Sequence, residues 1–143
     1  MDFKLDRFGQ LDGRSRRCLQ SAHFYRAARQ NLKLAENAVD RFHSQLDSEE
    51  YSAIYQAAGA SMKKATSEAD FVKLLQDVHQ TLGAVQNSVP KGTVFEMAQG
   101  TIRLDYDTIF ARGSGRERFV WEFSDNRAFL SSYKIYSKEL ATK

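Results

Sequence analysis

Apolar residues recur at helical spacing in three segments of the N-terminal half of the chain. Each segment has apolar side chains at i, i+3, i+4, i+7 and i+11, which places them on one face of an α-helix. The three sets are Ala35, Ala38, Val39, Phe42 and Leu46; Tyr51, Ile54, Tyr55, Ala58 and Met62; and Phe71, Leu74, Leu75, Val78 and Leu82. The pattern predicts three amphipathic helices, the first beginning near residues 26–31.

Residues typical of helix ends support these assignments. Asp47 or Ser48 is suited to be the N-cap of the second helix, because its side chain can accept from a free backbone N–H. Ser67 with Asp70 three positions later resembles a capping box for the third helix. Gly83 is suited to end that helix.

Alternating apolar residues in the C-terminal half predict an antiparallel sheet. The strongest pair is 104-LDYDTIF-110 and 117-ERFVWEF-123. Residues 84–89 and 94–98 predict two shorter strands on either side of the turn signal 90-PKG-92. A last strand over residues 129–136 follows 125-DNR-127. A three-residue loop there would turn Phe129, Tyr133 and Ile135 towards the apolar face of the sheet.

The Gly-Ser-Gly sequence sets the predicted register of the central hairpin. A type II′ turn at Gly113-Ser114 would place Arg112 opposite Gly115. The inner pairs would be Phe110 with Glu117, Thr108 with Phe119, Tyr106 with Trp121, and Leu104 with Phe123. The other face would carry Arg103, Asp105, Asp107, Arg118 and Glu122, with Asp105 opposite Glu122. Helices followed by a meandering sheet predict an α+β fold, with the N-terminal helices packed on a curled antiparallel sheet.

Composition narrows the class of protein. A chain of 143 residues with 42% apolar and 27% charged residues is typical of one globular domain. No apolar run is long enough to span a membrane, and no export signal is recognisable, so we expect a cytoplasmic protein by default. The lone Cys18 and three scattered histidines have no metal-ligand spacing, and no cofactor motif is present.

Positive charge is concentrated near the N-terminus. Residues 1–29 carry seven Lys/Arg and three Asp/Glu, whereas the whole chain has a net charge of only +3. We therefore divide the chain into a basic arm, residues 1–29, and a domain, residues 30–143. Such an arm can contact nucleic acid or an anionic surface, but a solvated terminus is the more common outcome.

Several segments give the chain a resemblance to a known superfamily. They are 42-FHSQLDSEEYSAIYQAA-58, Leu82 to Val85, the two hairpin strands, and 129-FLSSYKIY-136. The chain resembles small bacterial domains of the cystatin-like cone superfamily, also called nuclear transport factor 2-like. Among these it is similar to domains of unknown function that are often associated with the cell envelope. The resemblance implies a cone fold, dimerisation through the outer sheet face and, in some members, a ligand cavity. It also implies a location in the cell envelope or periplasm, in contrast to the cytoplasmic location expected from the missing export signal.

Enzymes of that superfamily place an acid beside a His or Tyr inside the cone, where burial raises the pKa of the acid. In this chain His43 and His79 follow core positions, and we expect both to be surface or boundary residues of their helices and not catalytic bases. Asp105, Asp107 and Glu122 are predicted on the outer face. Glu117 is predicted on the inner face, but near a turn that solvent reaches. The sequence therefore predicts no catalytic residue.

The remaining candidates are aromatic residues and outer-face charges. The aromatic residues are either core or the wall of a pocket for a small apolar ligand: Tyr51, Tyr55, Phe71, Tyr106, Trp121, Phe123 and Tyr133. Arg103, Asp105, Arg118 and Glu122 are candidates for an interface that makes a homodimer or binds another partner. The favoured hypothesis is a non-catalytic binding or interaction module. The alternative is a small-molecule isomerase or hydrolase that uses a carboxylate or histidine in the cone.

Overall fold

A four-stranded antiparallel sheet follows a series of helices, which confirms the predicted α+β class. The computed structural model describes the backbone of residues 2–141 and the side chains of residues 25–141. The strand order β1-β2-β3-β4 is that of a meander. The elements are α1 (Asp2–Asp47), α2 (Tyr51–Gln56), α3 (Ala60–Ala65), α4 (Glu68–Leu82), β1 (Val85–Glu96), β2 (Thr101–Phe110), β3 (Gly113–Ser124), β4 (Arg127–Tyr136) and α5 (Lys138–Ala141).

The core lies between helix α1 and one face of the sheet, which we call the inner face. Helix α1 contacts all four strands. Phe42 is at the centre of this contact, with its ring centroid 5.1 Å from that of Phe119 and 4.7 Å from that of Tyr133. Full burial of a side chain as large as Phe contributes about 1.5–3 kcal/mol. The apolar stripe of α1 therefore fixes this helix on the sheet.

The second predicted helix is interrupted in the structure. Its apolar stripe is divided between α2 and α3, with Gly59 between them. The Gly59 N–H donates to the carbonyl of Leu130 at 2.9 Å, and a Cβ at Gly59 would collide with the Glu122 side chain. Close approach of this backbone to the sheet therefore breaks a helix that the spacing alone predicts to be continuous.

The predicted helix caps are partly confirmed. Ser67 accepts a hydrogen bond from the Asp70 N–H at 3.2 Å, and Gly83 follows the last residue of α4. The predicted N-cap at Asp47 or Ser48 is wrong, because Glu50 is the N-cap of α2 and makes no capping bond through its side chain. Asp47 Oδ1 instead accepts from the Val85 N–H at 3.1 Å, at the start of β1.

The long helix α1 begins at Asp2, well before residues 26–31, where the apolar spacing predicts its start. The described side chains do not include those of Arg14, Arg16, Arg17 and Cys18. The division into a basic arm, residues 1–29, and a domain, residues 30–143, stays a prediction.

The predicted turn of the central hairpin is wrong. Phe110 pairs with Gly113, so Ala111 and Arg112 make the turn instead of Gly113 and Ser114. Leu104 consequently faces Phe119, and Tyr106 faces Glu117. The partner of each β2 residue moves by four positions along β3. This number is even, so the side chains that were predicted to face inwards still do so.

Contacts with α4 explain why the turn forms at Ala111-Arg112. The Ala111 N–H donates to the Ala84 carbonyl at 2.9 Å, and the Arg112 N–H donates to the Leu82 carbonyl at 2.8 Å. The Arg112 guanidinium also donates to the Gln80 carbonyl at 2.6 Å, where the carbonyls at the end of α4 lack partners within the helix. These contacts with the end of α4 favour the Ala111-Arg112 turn over the Gly113-Ser114 turn that the local sequence predicts.

The connection between β3 and β4 also differs from the prediction. Asp125 and Asn126 form a two-residue turn with φ of 49° and 60°, as a type I′ turn requires. Phe129 therefore pairs with Glu122 and faces away from the inner face. A bulge at Ser131 then restores the register, so that Tyr133 faces the core as predicted.

Strand β1 is continuous where the sequence predicts two strands separated by a turn. The segment 90-PKG-92 shifts the register between Pro90 and Gly92 without ending the strand. Proline is tolerated there because β1 is an edge strand, in which one row of N–H groups needs no partner.

The shape of the sheet and the helices bears on two further expectations. The sheet is not strongly curled, so the strongly curled cone expected from the resemblance is not seen. In the described part of the chain, no helix is both long enough and apolar enough to cross a membrane.

We predict that Gly83→Ala destabilises the protein by about 2–3 kcal/mol, because φ of 82° and ψ of −161° is a conformation that essentially only glycine adopts. An added Cβ would also lie 3.0 Å from the Ala111 Cβ. Gly100→Ala is the matched control, since Gly100 has φ of 67° but no atom near its Cβ position. We expect that control to lose only about 1 kcal/mol. Urea unfolding measures both losses, and equal losses would contradict the role assigned to Gly83.

Candidate functional site

A carboxylate is buried between the sheet and α1. Glu117 is 0% exposed and lies on the inner face of β3. Tyr133 Oη donates to its Oε2 at 2.6 Å, and Thr108 Oγ1 donates to its Oε1 at 2.6 Å. His43 Nε2 lies 2.7 Å from the same Oε1 and, with a hydrogen on Nε2, also donates to it. We call Glu117, His43, Thr108 and Tyr133 the buried tetrad.

The strand register brings the tetrad together. Thr108 on β2, Glu117 on β3 and Tyr133 on β4 are all on the inner face, in three neighbouring strands. His43 completes the group from α1, next to Phe42 in the core. The tetrad therefore ties the helix to three strands through one side chain.

Burial and negative charge change the acidity of the nearby phenols. Burial, followed by the charge of Glu117 and its hydrogen bond, raises the pKa of Tyr133 well above its ordinary value. Burial, followed by the charges of Glu36, Asp40 and Glu117, raises the pKa of Tyr106 to about 12. Both phenols therefore keep their proton near neutral pH, and Tyr133 can donate its proton to the Glu117 carboxylate in a hydrogen bond.

The tetrad corrects two predictions. Glu117 is not reached by solvent near a turn, because β3 already begins at Gly113 and Glu117 lies well inside the strand. His43 is buried and not at the helix surface. A signal was present in the sequence, since His43 follows Val39 by four residues and therefore extends the apolar stripe of α1. His79 is half-buried, and its Nε2 lies 3.6 Å from Glu49.

The tetrad is closed by its own packing. His43, Thr108, Glu117 and Tyr133 are all buried. Thr108 borders a surface groove beside Asp107, but Glu117, His43 and Tyr133 line none of the four grooves found among residues 25–141. An acid, a histidine and a phenol stand in hydrogen-bond contact, but a substrate has no described path to them.

The aromatic pocket candidates are mostly core residues. Tyr51, Tyr55, Phe71, Tyr106, Trp121 and Tyr133 are all buried in one cluster. The Tyr55 hydroxyl donates to the Thr66 carbonyl at 2.8 Å, so its polar group is satisfied inside the protein. Only Phe123 of the seven borders a described groove, a space of about 140 Å³ that Ala27, Asn31 and Phe95 also line.

All four interface candidates lie at strand positions that face away from the inner face of the sheet. Arg118 Nε donates to Asp105 Oδ1 at 2.9 Å and Nη2 donates to Oδ2 at 3.3 Å, while Arg103 lies beside Asp105 on the same strand. The predicted opposition of Asp105 to Glu122 is wrong, because the observed register pairs Asp105 with Arg118. Glu122 instead accepts a hydrogen bond from the Ser61 hydroxyl of α3 at 2.9 Å.

A second ion pair extends this surface. Arg116 Nε donates to Asp107 Oδ1 at 2.9 Å, and hydrogen bonding from Arg116 lowers the pKa of Asp107. The partly exposed apolar side chains of Val89, Val94, Ile109 and Tyr136 lie around the two pairs, and Ile109 is 50% exposed. The side chains of Ile109 and Tyr136 on this face are exposed and those of Asp105 and Asp107 are partly exposed, so solvent reaches this part of the outer face within the described residues.

In the described part of the chain, no group of three or more His, Cys, Asp and Glu side chains is arranged to hold a metal ion.

The fold and the tetrad define a small α+β domain with a closed polar centre and one open sheet face. The chain belongs to a family described as "Protein of unknown function (DUF4019)", whose model matches residues 38–129. The matched range includes three of the four tetrad residues, His43, Thr108 and Glu117, and ends before Tyr133. No curated protein matches the chain.

We predict that Tyr133→Phe lowers the free energy of unfolding by about 1.5–3 kcal/mol, because it removes one hydrogen bond to a buried charged group. Tyr136→Phe is the matched control on the same strand, since Tyr136 is 60% exposed, and we expect a change within about 0.5 kcal/mol. Chemical denaturation of both variants measures the difference. Equal stability of the two variants would show that the hydrogen bond from Tyr133 to Glu117 does not stabilise the fold.

We also predict a loss of stability in alkali. Tyrosine in the unfolded chain has a pKa of about 10, whereas that of Tyr106 in the folded protein is about 12. The unfolded state therefore loses its proton first. The stability from a neutral Tyr106 is fully present below about pH 10 and is lost as the pH rises towards 12. Urea midpoints across this range, compared with those of Tyr106→Phe, measure the effect. Parallel curves for the two proteins would contradict it.

Proposed function

We propose that this protein is a non-catalytic interaction module and that its outer sheet face binds a second copy of the chain. The observation that carries the proposal is the open outer face, where exposed apolar side chains surround two ordered ion pairs. Ile109 and Tyr136 expose apolar surface next to Asp107 and Arg116, which are already joined by a hydrogen bond. A surface that combines exposed apolar area with charged side chains fixed by hydrogen bonds is suited to a specific contact with a partner.

The distribution of charge favours a second copy as the partner. In a two-fold interface the same patch meets itself, so a patch of one sign would repel itself. Here Asp105 and Asp107 alternate with Arg118 and Arg116 on neighbouring strands. Each copy thus offers both donors and acceptors to the other.

The size of the face is also compatible with a dimer. Strands of 10 to 12 residues, at about 3.3 Å per residue and about 4.8 Å apart, make a face of about 33 Å by about 19 Å, or about 600 Å². Standard interfaces bury about 800 Å² on each partner. The flat area of the sheet face is already most of the area of a standard interface, and the projecting side chains add to it.

The resemblance to the nuclear transport factor 2-like superfamily supports the same proposal, because it implies dimerisation through this face. The order of helices followed by a four-stranded meander agrees with that assignment. We infer membership of that superfamily as part of the proposal.

A small-molecule enzyme is the second candidate, and one observation favours it. Glu117 lies inside the domain and is hydrogen-bonded to a tyrosine and a histidine, as a general acid or base often is. Catalysis would require an opening over Glu117 that admits a substrate. The closed packing of the tetrad makes a structural role the better explanation.

We predict that Ile109→Glu converts a dimer into a monomer, because it places a new charge in the proposed interface of each copy. Leu74→Glu is the matched control, since Leu74 is an exposed apolar residue on α4, away from the sheet. Sedimentation velocity over a range of protein concentrations measures the oligomeric state. A monomeric wild-type protein, or a dimer that survives Ile109→Glu but is lost in Leu74→Glu, would overturn the proposal.

A further inference from the structure

A groove of about 300 Å³ lies between α1 and the start of β4, and its lining includes neither the tetrad residues nor the ion pairs of the outer face. It is formed by α1, the residue after α2, and the turn between β3 and β4. Its apolar lining includes Ala38, Ala57, Ala128 and Phe129. A volume of this size lies at the lower end of the range for small-molecule sites.

Two arginines line the same groove from different elements. Arg41 belongs to α1, and Arg127 is the first residue of β4. Both are exposed, and among the described side chains neither forms an ion pair. This differs from the outer face, where Arg116 and Arg118 are each occupied by an aspartate. The groove therefore has guanidinium donors that are available to an anion.

The turn that carries Arg127 is held in place. Asn126 accepts a hydrogen bond from the Gln30 side chain of α1 at 2.7 Å, which links the turn to the helix across the groove. Asp125 and Asn126 both have the positive φ of a type I′ turn, and Ser124 pairs directly with Arg127. One wall of the groove is thus fixed relative to the other before any ligand binds, which lowers the entropic cost of binding.

The local charge favours an ion with a single negative charge over a dianion. Arg41 and Arg127 contribute two positive charges, and Asp125 on the same turn contributes one negative charge. Asp40, next to Arg41 on α1, is exposed and contributes a second negative charge. The balance of these four charges is about zero, which disfavours a phosphate dianion more strongly than a carboxylate.

We propose that this groove binds a small monocarboxylate with a short apolar tail. The guanidinium groups of Arg41 and Arg127 bind the carboxylate, because their planar forks match its two oxygens. The tail lies on the apolar lining between α1 and the turn. This site is independent of the proposed dimer, since it uses neither Ile109 nor the ion pairs of the outer face.

Three ligands separate the contributions of charge and tail: octanoate has both, octanol has only the tail, and acetate has only the charge. Each is titrated into the full chain, and binding is followed by the amide NMR signals of Ala57, Arg127 and Ala128. We expect octanoate to shift these signals in a saturable way. Octanol and acetate should bind at least about tenfold more weakly, since each lacks one of the two contributions.

The double variant Arg41→Gln/Arg127→Gln tests the assigned residues. We expect its octanoate affinity to fall about tenfold or more. Arg29→Gln is the matched control, because Arg29 is an exposed arginine of α1 that does not line the groove. Equal affinity for octanoate and octanol, equal affinity for octanoate and acetate, no saturable octanoate shift, or an equal loss in Arg29→Gln would each overturn the proposal.

Discussion

The buried carboxylate of Glu117 is the constraint on which the rest of the structure depends. A carboxylate without partners is very costly to remove from water, so it must be met by donors wherever it is buried. Here the donors come from α1, β2 and β4 through His43, Thr108 and Tyr133. One side chain therefore couples the position of the long helix to the register of three strands. A shift by one residue in β2 or β4 would turn one of these donors to the outer face, and a shift in β3 would turn Glu117 itself outwards.

The same register organises the outer face. When Glu117 faces inwards opposite Tyr106, its neighbours Arg116 and Arg118 must face outwards. They then lie directly opposite Asp107 and Asp105, and both form bidentate hydrogen bonds. The predicted register would instead place two acids opposite each other on this face. Electrostatics on the outer face and hydrogen bonding on the inner face thus favour the same strand pairing.

Local patterns predict the parts of this fold that local forces determine. The helical stripes, the cap at Ser67, the stop at Gly83 and the α+β class all follow from spacing and side-chain type. The turn at Ala111-Arg112 does not, because it is selected by hydrogen bonds to the end of α4 that are distant in sequence. The break at Gly59 has the same cause, since it depends on contact with β3 and β4. The sequence shows where the glycines are, but it does not show which residues contact them in the folded protein.

The candidate site was hidden for a related reason. Glu117 faces inwards in both the predicted and the observed register, because the two differ by an even number of residues along β3. The packing of α1 on the sheet then determines whether solvent reaches it. Once His43 and Tyr133 close over it, the polar centre has donors for each oxygen and no described route for a substrate. Its hydrogen-bonding capacity is then used in holding the domain together. The two proposed binding surfaces use residues away from this polar centre, and Ile109 and Arg127 are exposed on them.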